Sequence, residues 1–130
     1  MKSLKVRMTV FSLVSIFALM FGSMIVSAST TVNITSHNIA SGVKMYYYNG
    51  NGYSMAKGQY LTLTAYFDNA YQTSAGYYEV TNMDSYTAVG VGTRSSIYFN
   101  KPMPKTALYK AWIKNHSSVT MRVTSGTIEY

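Results

Sequence analysis

Residues 29–130 predict an all-β fold, an antiparallel β-sandwich of about eight short strands, with a small barrel as the alternative. Three observations carry this expectation. Apolar and polar residues alternate with period two in segment after segment, and beyond the N-terminus no stretch holds a helical period. Clusters of Asn, Asp, Gly and Pro punctuate those segments at near-regular intervals. The composition, with 13 Tyr among many Thr and Ser and only 12% charged residues, suits half-buried pleated surfaces.

Residues 1–28 stand apart. Lys2, Lys5 and Arg7 precede an apolar run over 8–26, and Val26-Ser27-Ala28 offers short side chains at the −3 and −1 positions of a cut after Ala28. Positive start, apolar stretch and cleavage site in that order describe a secretory signal peptide, and hence a secreted, extracellular protein. If it stayed uncleaved, the same run would hold the chain at the cell surface, since about 20 apolar residues span a bilayer. Ser12, Ser15, Gly22 and Ser23 dilute it, and no basic stop-transfer cluster follows. The chain has no Cys. Neither a lipid anchor at the cut nor a disulfide is available, which fits export from a bacterium that does not rely on oxidative folding. The remaining stretch, 29–130, is long enough for one domain with one core.

Within it the elements follow in order. Val32 and Ile34 alternate with Asn33 and Thr35 in a first strand, and Val43–Tyr48 forms a second before the turn Asn49-Gly50-Asn51-Gly52. Gln59–Phe67 is the clearest strand, with Leu61, Leu63, Ala65 and Phe67 on one face and Tyr60, Thr62, Thr64 and Tyr66 on the other; Asp68-Asn69 ends it. Further strands are expected over 76–81, 86–91 and 96–99, and residues 100–106, with Pro102 and Pro104, as a loop. Ala107–Lys114 and Val119–Val123 read as a hairpin around Asn115–Ser118. In it Val119, Met121 and Val123 face the core and Trp112 faces outward unless the register slips by one. Thr127–Tyr130 closes the domain.

Chemistry-bearing residues are sparse. His37 and His116 are isolated, which argues against a metal site. The acids Asp68, Glu79, Asp84 and Glu129 are dispersed, so the carboxyl pair of a glycosidase has only Asp68 and Asp84 as a paper candidate. No nucleophile elbow or phosphate-binding glycine motif has its required context. We therefore expect no catalytic residue, no cofactor and no enzyme activity. Asn33-Ile34-Thr35 and Asn115-His116-Ser117 are glycosylation sequons.

The residues that stand out are aromatic and cationic. Tyr46-Tyr47-Tyr48 and Tyr53 flank the Asn-Gly turn, and Trp112 sits between Lys110 and Lys114. Residues 29–130 carry eight Lys and Arg against four acids, a balance of +4 where the whole chain has +7. The cations are scattered rather than gathered into a stripe, which argues against nucleic acid as partner. The expectation is a binding module that contacts cell-wall glycan or a protein partner through Tyr47, Tyr60, Tyr66, Lys110, Trp112 and Lys114. An antibacterial protein acting on an anionic membrane is the first alternative, and an exported inhibitor of another protein the second.

Overall fold

The computed structural model describes residues 29–130, so the signal peptide expected over 1–28 lies outside the described residues. Eight strands form one antiparallel sheet: β1 (Thr31–Ile34), β2 (His37–Ile39), β3 (Lys44–Tyr47), β4 (Tyr53–Met55), β5 (Tyr60–Glu79), β6 (Asp84–Pro102), β7 (Ala107–Asn115) and β8 (Met121–Glu129). The sheet is curled into a half-barrel, ordered β1-β8-β5-β7-β3, with β2 beside β8, β4 beside β7 and β6 beside β5.

Two long strands organise it. The 20-residue β5 and 19-residue β6 pair along almost their whole length, from Tyr60↔Pro102 to Glu79↔Asp84. The expected stop at Asp68-Asn69 is instead a bend. The register shifts between Tyr66 and Tyr71, Asn69 Oδ1 accepts the Ala70 N–H, and the Tyr71 hydroxyl donates to Asp68 Oδ1 at 2.6 Å. Turn-forming side chains satisfy a bulge as well as they satisfy a strand end, so pairing resumes beyond it. The separate strands read at 86–91 and 96–99 fuse into β6 in the same way, and β6 runs on to Pro102, at a strand end where proline costs no ladder bond.

The bend lets β5 serve two half-sheets. Its first half pairs with β8 and its second half with β7. It follows that β7 and β8 are not the hairpin their adjacency predicts: each belongs to a different half, and residues 116–120 cross between them. Asn115 holds that crossing. Fully buried, it donates from Nδ2 to the carbonyls of Ile39 (3.0 Å) and Val119 (2.8 Å) and accepts the Ser117 N–H at Oδ1. A buried Asn115 is closed to glycosylation, while Asn33 is exposed. Val119, read as a core residue, is 58% exposed because it sits in this crossing rather than in β8.

The inner faces of both halves enclose one core. Leu61, Leu63, Ala65, Phe67, Ile97, Phe99, Val123 and Ile128 come from one half, and Ala75, Met55, Tyr109, Ala111 and Ile113 from the other. Glu79 ends β5 inside this core. Burial works to raise its carboxyl, but the N–H groups of Asn82 and Thr81 and the Lys105 ammonium, 3.5 Å away, outweigh that and hold it below the usual carboxylate range.

Candidate functional site: a tyrosine-lined cleft and the lysine face beside it

Two edges of the curled sheet are broken strands, whereas the third, β6, is continuous. β1 and β2 pair in succession with β8 and are interrupted at Thr35-Ser36; β3 and β4 pair in succession with β7 and are interrupted by the Asn49–Gly52 turn. That turn is therefore not a hairpin but an outward loop in one edge. Gly50 and Gly52 have positive φ there, and the Gly52 N–H closes the turn on the Asn49 carbonyl.

Where the two breaks face each other, the unclosed seam of the half-barrel leaves a cleft of about 230 Å³. Val32, Ile34 and Ile128 form its apolar wall; Tyr46, Tyr47, Tyr48 and Tyr53 line it together with Asn33 and His37. Tyr47 and His37 make its polar centre. The His37 Nδ1 lies 2.7 Å from the Thr35 carbonyl oxygen, which only an N–H can satisfy, so Nε2 is left to accept the Tyr47 hydroxyl at 2.7 Å. Burial pushes the Tyr47 phenol up strongly and keeps it a neutral donor. Tyr53 is pushed up to about 12 by burial and by Tyr130, against which its ring stacks at 4.2 Å.

The outer face of β3, β7 and the second half of β5 adjoins this cleft. Its cross-strand rungs are Lys44–Lys114–Ser74 and Tyr46–Trp112–Gly76, followed by Lys110–Tyr78. Lys44 Nζ sits 4.1 Å over the Trp112 ring, and Lys110 Nζ sits 3.9 Å over the Tyr48 ring. Tyr46 packs edge-on against Tyr78 with centroids 5.7 Å apart. The alternation read for β7 holds: Ala111 and Ile113 enter the core and Trp112 faces outward. Even so, Trp112 is only 2% exposed. It settles into the slot left by Gly76, and its Nε1 has no hydrogen-bond partner among the described residues.

The six residues singled out by sequence thus fall in three places. Tyr47 is in the cleft. Lys110, Trp112 and Lys114 share the adjoining outer face. Tyr60 and Tyr66 project from the first half of β5, more than half exposed beside Tyr98 of β6. Sequence reasoning missed Lys44 and read His37 only as an isolated histidine, because only the pairing of distant strands gives each its role. The Tyr46–Tyr48 run was the signal for the rest. Asp68 and Asp84 do not come together: Asp84 pairs with Glu79, and residues 69–78 of β5 separate that rung from Asp68.

No protein-family description and no curated protein sequence matches the chain. One solved structure it resembles is that of the Clostridium thermocellum N-terminal endo-1,4-β-D-xylanase 10B, CBM22-1–GH10 modules, complexed with xylohexaose. The identity is 14%, the match covers 76% of this chain and 25% of that one, and the TM-score is 0.43. The chain spans a quarter of that protein's length, and a likeness this distant carries no function across.

Proposed function

We propose that this is a secreted, non-enzymatic β-domain that binds glycan, in the first place cell-wall glycan, in the tyrosine-lined cleft. The observation that carries the reading is the cleft itself: four tyrosines and the Tyr47–His37 pair gathered at the unclosed seam. Sugar rings present apolar C–H faces and a rim of hydroxyls. Phenol rings stack on the first, while phenol tips, one of them oriented by the His37 imidazole, and the Asn33 amide bond the second. At about 230 Å³ the cleft is smaller than the roughly 300–1,000 Å³ of most small-molecule sites, which suits one unit of a polymer whose remainder lies outside. The half-exposed Tyr46 and Tyr48 lie where the polymer would leave it.

Co-sedimentation of the protein with purified bacterial cell walls across a salt series tests this reading. Saturable binding is expected, and Tyr46→Ala/Tyr48→Ala should weaken it roughly tenfold or more through lost stacking. Both side chains are partly exposed, so the fold should survive the change. Wild-type binding that the double variant leaves untouched would remove the cleft from the account.

A further inference from the structure

Two costs that the fold does not explain converge on the outer face beside the cleft. Lys44 and Lys114 stand directly opposite each other across β3 and β7, an arrangement of like charges that opposes pairing. None of the domain's four acids compensates them. Asp68 is bonded to Tyr71, Glu79 to Lys105, Asp84 starts β6 at the Glu79 rung, and Glu129 lies in the other half-sheet. One rung away, the buried Trp112 Nε1 is a donor without an acceptor among the described residues, which a native interior rarely tolerates.

Lys44 is also held in place. It is seated on the Trp112 ring, and behind the rung Ser74 Oγ and His116 Nε2 meet at 2.7 Å. These groups feel one another. Burial and then Lys114 hold the Lys44 ammonium below its ordinary range; burial, Lys114 and Lys44 do the same to the His116 imidazole. A mutually repelling pair of ammonium groups beside a cleft sized for one unit of a polymer is an arrangement that an anion would relieve.

We propose that the Lys44–Lys114 rung, backed by Ser74 and His116, is an anion-binding site, so that the polymer held in the cleft carries phosphodiester or carboxylate groups. The inference rests on the glycan reading and specifies its substrate class. Tyr46 and Tyr48, which belong to both the cleft wall and this face, make the two surfaces continuous. The cost of the rung then has a use: repulsion in the free protein is exchanged for attraction in the complex.

The test compares the full protein with Lys44→Gln/Lys114→Gln against intact cell walls, polyglycerol phosphate, polygalacturonate and uncharged chitin oligosaccharides. The wild type should bind at least one polyanion, and which one it binds tells phosphodiester from carboxylate. The variant should bind that polyanion about five- to tenfold more weakly. Its melting temperature should be unchanged or higher, because the repulsive rung is gone; Lys44→Arg/Lys114→Arg should retain binding. Equal polyanion binding by wild type and Gln variant would overturn the proposal, as would equal binding of wild type to anionic vesicles. Wild-type binding to walls and chitin oligosaccharides but to neither polyanion would overturn it while leaving the glycan reading intact. No binding to walls would remove both.

Discussion

Gly76→Ala is expected to lower stability by about 3 kcal/mol or more, roughly 15 °C in melting temperature for a domain of this size. A Cβ at this position would lie 2.7 Å from Trp112 Cζ2 and deep inside the contact distance of the Tyr86 carbonyl oxygen. The first neighbour is a large buried ring, the second is backbone, and neither yields cheaply. Tyr86 belongs to β6, and the pairing register of β5 with β6 shifts between Ala75 and Gly76 at this point. Gly90→Ala, in the same hairpin but with nothing within 4 Å of its added Cβ, is the control and should change stability little. Thermal denaturation followed by near-ultraviolet circular dichroism checks both. Should Gly76→Ala melt like Gly90→Ala, the seat of Trp112 would have to be redrawn, and the lysine face with it.

Asn115→Ala should cost about 2–3 kcal/mol, the penalty of leaving the buried Ile39 carbonyl unpaired and releasing the crossing at Val119 and Ser117. The backbone of the same residue already ties the sheet to the β2–β3 loop: its N–H donates to the Val43 carbonyl and its carbonyl accepts the Gly42 N–H. Loss of the side chain therefore loosens the point where β2, β3, β7 and the crossing to β8 meet. Asn115→Asp should be at least as damaging at neutral pH, because a carboxylate facing two carbonyl oxygens has no proton to donate. Denaturant unfolding of the two variants against the wild type measures this, and a cost below about 1 kcal/mol for both would contradict the role given to Asn115.

These two positions also mark what was legible in the sequence. Along Gln59–Phe67 the period-two pattern gave faces and burial correctly: Leu61 and Leu63 are fully buried while Tyr60 and Tyr66 are more than half exposed. The same alternation placed Trp112 on the outside of β7. It did not reveal that the missing side chain of Gly76, 36 residues earlier, makes the slot in which that indole is buried. Local pattern reports which way a side chain points, not which strand will lie beside it. The hairpin expected at Ala107–Val123 shows this limit. Both strands form, but the bend at Asp68-Asn69 gives each a different half of β5 as partner. The cleft was half legible. The Tyr46–Tyr48 run and Tyr53 announce an aromatic cluster, whereas His37 gains its place only when the broken edges β1–β2 and β3–β4 face each other across the seam.

The central claim, that glycan is held in this cleft, is tested most directly by titrating the isotopically labelled protein with soluble cell-wall glycan fragments and following backbone and aromatic resonances. Shifts should concentrate on His37, Tyr46, Tyr47, Tyr48 and Tyr53 and saturate together. Saturating shifts confined to Tyr60, Tyr66 and Tyr98, or no shifts with fragments of intact walls that the protein sediments with, would contradict it.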